Sequence, residues 1–303
     1  LDANGNASIS TGDIDNGTAD ACGGLTYSLS QTTFNCVNLG SNTVILTATD
    51  LNGNSASKSA TITVLDQIAP TVIAQNASVY LDANGNAQIT SATLDAGSTD
   101  NCSISSSSLS QSAFDCSDLG ANTVTLTMLD ASGNSANANA TVTVLDTISP
   151  AVITAAINLY LDPSGQGSIN TADINSGSSD NCGISTFSLS NKNFTCSDLG
   201  ANTVLLTATD ASGNSSTLSA TVTVIDTVSP SAVAQNITVS LDANGLATIN
   251  ASMLSNGSTD ACGIATESIS PASFSCTDIG ANTVVLTITD TNGNSSTARS
   301  TVT

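Results

Sequence analysis

Hydrophobic and polar positions alternate along "ANTVLLTATD" (201–210). Val204, Leu206 and Ala208 fall on one face, and Thr203, Leu205, Thr207 and Thr209 on the other. A period of two marks a strand with one buried face. After "ASGN" comes a second alternating run, "SSTLSATVTVID" (215–226), in which Val222 and Val224 alternate with Thr. Two such runs around a short Gly-Asn loop predict a hairpin. Upstream, "ASVYLDANGNAQIT" (77–90) reads as another hairpin, and the variant turn Asp162-Pro163-Ser164-Gly165 carries the residues a type I turn prefers. A loop rich in Gly and Ser, a strand at "ISTFSLS" (184–190) and a short run ending in Phe-x-Cys complete the pattern. Glu, Lys, Arg and Gln are scarce while Thr, Val, Ile, Ser and Asn dominate, which argues against helix.

The whole pattern recurs. Leu1, Leu81, Leu161 and Leu241 open four copies in strict 80-residue phase. The period divides the chain into 1–67 (lacking its first strand), 68–147, 148–227 and 228–303 (truncated at its end), and the window is expected to be cut from a longer array. Short strands separated by turn signals predict an antiparallel β-sandwich of six or seven strands in each copy. Pro70, Pro150 and Pro230 stiffen the links, and Phe34, Phe114, Phe194 and Phe274 recur where a core plug is expected.

Composition narrows the function. The 303 residues carry 24 Asp and Glu against three Lys and Arg, no His, and a net charge of −21. Nucleic acid and anionic lipid both require cations that this chain lacks. No Ser-His or Cys-His pair is available, and Asp recurs at the same phases from copy to copy, so an enzyme is not expected. No apolar run of 18 residues is present, so no direct membrane insertion is expected. Ser and Thr make up 91 of the 303 residues, which suits an exposed protein and offers sites for glycans.

Eight cysteines fall two per copy, always 14 residues apart: Cys22 and Cys36, Cys102 and Cys116, Cys182 and Cys196, Cys262 and Cys276. A redox pair needs C-x-x-C and zinc needs four closely spaced soft ligands, so disulfides in an oxidising, extracellular setting are expected. The pairing expected is within a copy, as Cys102–Cys116 and Cys182–Cys196. The alternative joins Cys116 to Cys182 across a junction.

Asp recurs at five phases, all visible in the second copy: Asp82, Asp100, Asp118, Asp130 and Asp146. Candidate ligands at matching positions are Asp2 and Asp66 in the first copy, Asp162, Asp180, Asp198, Asp210 and Asp226 in the third, and Asp260 and Asp290 in the fourth. If the chain enters a sandwich at one end and leaves at the other, Asp82, Asp118 and Asp146 share an end that faces Asp180 and Asp210 of the next copy. Five carboxylates then meet at each junction. Each pair costs about 4 kcal/mol at roughly 4 Å and an effective dielectric near 20. A hard cation with six to eight oxygen ligands relieves that repulsion, which points to Ca²⁺ at the junctions as the cofactor. The competing reading is that each Asp caps a turn through its own backbone, which fits Asp82 and Asp130. "DANGNA" lacks the Gly and Glu of a helix-loop-helix calcium site.

The combined motif is "D(N/A)CG … F-x-C-x-D-(L/I)-G-(A/S)-N-T-V … D-x-x-G-N-S … T-V-T-V-(L/I)-D-x-x-(S/A)-P". It resembles the immunoglobulin-like, hyalin-repeat-like units of very large surface proteins of gliding and biofilm-forming bacteria. The resemblance spans all four copies. It implies an all-β tandem array of four Ig-like antiparallel β-sandwich domains of 80 residues each, forming an elongated rod on the cell surface or in a secreted filament. Some family units are expected to carry an extra Cys in the last strand. Here that position holds Ser, Asn or Thr, so no pairing is taken from the family. The expected role is a structural stalk or filament whose partner is itself, as a homopolymer or longer array. The alternative is an adhesion module gripping surface glycans, which calls for a divergent copy with exposed aromatics.

Overall fold

The computed structural model describes residues 1–303, and the chain divides into two compact units, Leu1–Ile148 and Ser149–Thr303. Within each unit one β-sandwich motif occurs twice, most fully in residues 77–145 of the first. There a four-stranded sheet runs in the order Ala77–Tyr80, Ser135–Leu145, Gly120–Asp130, Ile104–Leu109. A two-stranded sheet pairs Asn86–Gln88 with Ala113–Asp115 and sets Ala87 opposite Phe114. The architecture is all-β, a tandem β-sandwich array.

The long hairpin forms where alternation predicts it. Its register runs from Gly120↔Val144 to Leu129↔Ser135 in the first unit, and from Gly200↔Val224 to Thr209↔Ser215 in the second. One parity carries the core: Val124, Leu126 and Met128 are 0, 0 and 3% exposed, and Val204, Leu206 and Ala208 are all fully buried. Each of the Val, Leu and Met side chains removed from water contributes about 1.5–3 kcal/mol. Phe34, Phe114, Phe194 and Phe274 are buried in every copy, as core plugs should be. The same inward parity continues two residues further, and it carries Asp130 and Asp210 into the interior.

The hairpin expected at 77–90 does not form. Ala77–Tyr80 runs parallel to Val142–Leu145, and Ile157–Tyr160 runs parallel to Val222–Ile225. The turn at Asp82 is tight, with its N–H donating to the Asn86 carbonyl at 2.8 Å, but it carries the chain from one sheet to the other. Leu81 and Ile89, which flank that crossing, are both buried, and core burial outweighs local strand pairing. The loop after it also holds an unexpected helical turn, Ser91–Leu94, matched by Thr171–Ile174 and Ala251–Leu254. Each buries one apolar side chain completely: Leu94, Ile174 and Leu254.

Candidate metal centre

In the first unit, three carboxylates converge where the first copy hands over to the second. Asp66 follows the strand Ser55–Val64, Asp100 precedes Cys102, and Asp130 ends the strand Gly120–Asp130. One oxygen of each lies within 4.8 Å of the others. Asp66 and Asp130 are 6% and 2% exposed, and Asp100 is half-buried.

Their hydrogen bonds fix these side chains without saturating them. Asp66 Oδ1 accepts the Ile68 N–H at 3.2 Å and the Asn101 amide at 3.0 Å, while its buried Oδ2 accepts nothing. Asp100 Oδ2 accepts the N–H groups of Cys102 and Ser103, both at 2.9 Å, and its buried Oδ1 is again unpartnered. Asp130 is fully engaged. Its Oδ1 accepts the N–H groups of Ser132 and Asn134, and its Oδ2 accepts the Asn134 side-chain amide at 2.7 Å. Burial pushes the Asp130 carboxyl up, but the Asn134 amide and the turn N–H groups outweigh it and hold it below the ordinary value. Asn134 also donates to the carbonyls of Asp66 and Ile68, which ties the hairpin loop to the link.

A buried polar atom without a partner is costly, and a charged one more so. Three carboxylates about 5 Å apart repel by roughly 3 kcal/mol per pair at an effective dielectric near 20. Two partnerless oxygens among them form a donor set of hard, anionic oxygens, the chemistry that Ca²⁺ selects.

The second unit builds a related group from Asp226, Asp260 and Cys262. Asp226 Oδ1 accepts the Val228 N–H at 3.0 Å, and its Oδ2 is buried and unpartnered. Asp260 Oδ1 accepts the Cys262 N–H. Asp290 is 2% exposed and held by Asn292 and Asn294, as its counterpart Asp130 is by its own turn. Burial raises its carboxyl, and those hydrogen bonds bring it below the ordinary value. Cys262 offers no thiolate, because it is bonded to Cys196.

At the group inside the first unit, three carboxylates converge, Asp66, Asp100 and Asp130, where five were expected. Asp2, Asp82 and Asp162 spend Oδ1 on N–H groups of their own turns. Asp118 and Asp198 accept the N–H of residues 115 and 195 and cap a single helical turn. In the first unit Asp146 Oδ1 accepts the Ile148 N–H. In the second, Asp180 accepts the Cys182 N–H, and Asp210 is engaged by Asn214.

The cysteines correct the pairing expected within a copy. Cys36 bonds Cys102 and Cys196 bonds Cys262, each across a sequence separation of 66, so neither Cys102–Cys116 nor Cys182–Cys196 forms. The strand Ile104–Leu109 leads away from Cys102, and Ala113–Asp115 then leads into Cys116, so the strands separate cysteines that are close in sequence. Cys22 and Cys276 are exposed thiols. The joint needs glycine at Gly5 (φ +74°), where a Cβ would lie 2.6 Å from the Asn101 carbonyl oxygen and 2.7 Å from Cys36 Sγ. Sequence reasoning overlooked Asn101 and Asn134, although each follows an Asp of the group at fixed spacing.

No protein-family model matches the chain, and no curated protein does. Among solved structures, the chain is similar to extracellular cadherin domains 1–4 of protocadherin gamma B7 at 13% identity and a TM-score of 0.34. That match covers 92% of this chain and 91% of the other. Immunoglobulin domains 1–5 of sidekick-1 match at 11% identity and a TM-score of 0.36, over 92% of this chain and 73% of that one. Drosophila N-cadherin EC1–4 matches at 13% identity and a TM-score of 0.29, over 99% and 96% of the two chains. No helix is long and apolar enough to cross a membrane.

Proposed function

We propose that this chain is a structural segment of an extracellular surface filament or adhesin stalk, with Ca²⁺ bound where successive copies meet. The observation that carries this reading is the pair of buried, partnerless carboxylate oxygens on Asp66 and Asp100 beside Asp130. Disulfides between copies support an oxidising compartment. Near-identical copies support a spacer rather than an enzyme, which would concentrate its chemistry in one place. Calcium neutralises two of the three charges at the first group and couples the link to the hairpin loop.

Thermal unfolding in EGTA and in millimolar calcium tests the metal. A ligand at 100 times its Kd adds about 2.7 kcal/mol, which raises Tm by several degrees in a chain of this size. An unchanged midpoint across that range overturns the calcium reading. Negative-stain images test the filament: beaded threads are expected from a longer array, and isolated globules reject it.

A further inference from the structure

Asn101 stands next to Asp100 and reaches the same group. Its amide nitrogen donates to Asp66 Oδ1 at 3.0 Å and to the Asp2 carbonyl at 3.2 Å, and its Oδ1 is buried with no partner. The two ends of an amide are nearly equal in shape, so a half-turn about the last side-chain bond exchanges donor for acceptor. Beside a bare carboxylate the nitrogen is the better neighbour. Beside a cation the oxygen is. Residue 261 of the second unit, in the same position, is Ala. The group there is completed by a disulfide sulfur instead of a third carboxylate, and a neutral sulfur is a poor ligand for a hard cation.

We propose that Asn101 is a direct calcium ligand through Oδ1, and that the first unit's site fills at a lower calcium concentration than the second unit's, which has Ala261. This rests on the calcium reading above and adds the residue that grades affinity between sites. Ligand number and charge tune calcium affinity over orders of magnitude, so one extra oxygen and one extra carboxylate account for at least about a tenfold difference.

The test is hydrogen exchange read by mass spectrometry on the full chain during a calcium titration. Peptides covering Asp66, Asp100 and Asp130 are followed against those covering Asp226, Asp260 and Asp290. The first set should reach half-protection at about tenfold less calcium than the second. Asn101→Ala should raise the first midpoint about tenfold and leave the second unmoved. Asn101→Asp, which keeps an oxygen but loses both donors, should retain the first site's affinity. If the amide served only as a hydrogen-bond donor, Asn101→Asp would behave like Asn101→Ala. Should Asn101→Ala fail to fold, Ala261→Asn decides, by lowering the second midpoint or leaving it fixed. Equal midpoints in the unmodified chain, or indifference to the residue at 101 and 261, overturns the inference and leaves calcium binding standing. Protection at neither site overturns calcium binding itself.

Discussion

Asp82 and Asp66 are the same side chain in opposite circumstances. Asp82 is exposed and accepts two N–H groups of its own turn on one oxygen. Asp66 is 6% exposed, shares its group with two more carboxylates, and holds one oxygen with no partner. The turn satisfies its Asp from residues two and four positions away. The junction draws its Asp residues from 66, 100 and 130, so nothing local can balance the charge. The first arrangement is complete in itself, while the second is complete only with something added.

The sharpest way to break the junction is to cut its covalent tie. Replacing Cys36 and Cys102 together by Ser should remove about 4 kcal/mol in the chain-entropy model. Calorimetry should then show the first unit melting ahead of the second, whose Cys196–Cys262 bond is intact. A single unchanged transition would mean that the bond adds nothing to stability.

Asp66→Asn should change sign with calcium. In chelator it relieves repulsion and supplies a donor where an orphan oxygen stood, a gain of about 1–3 kcal/mol. In calcium it should lose the ion's stabilisation at that site. Parallel denaturant titrations check this, and the same shift in both buffers would refute the contrast. Asp82→Ala should be the mildest change, lowering Tm by only about 1–3 °C. That shift should be the same in EGTA and in calcium, since the turn has no stake in the ion.

The sheets were largely legible because alternation encodes them directly. Val204, Leu206 and Ala208 could be assigned inward from period two alone. Extending the same parity to Asp130 and Asp210 marks them as buried carboxylates, a signal already present in the sequence. Other features were hidden for physical reasons. The parallel pairing of Ala77–Tyr80 with Val142–Leu145 is non-local, so no turn announces it. The Asp82 turn has hairpin chemistry but links two layers, and only burial of Leu81 and Ile89 decides between the two. For the cysteines, proximity in sequence suggested one pairing, whereas alternation of loops between the ends of a sandwich already opposed it. Which Asp residues converge and which cap turns follows from hydrogen bonds that only the folded chain supplies.

The Cys36–Cys102 bond also decides how the first unit carries tension. A pull applied at its two ends enters through the first 36 residues, crosses one sulfur–sulfur bond, and leaves through the chain beyond Cys102. The hairpin of Gly40–Thr49 and Ser55–Val64 lies off that path and stays slack. The 66-residue step held in the ring withholds about 220 Å of contour length from any stretch. Oxidised, the unit can release only the residues outside the ring. Reduced, it becomes a spring with that length in reserve.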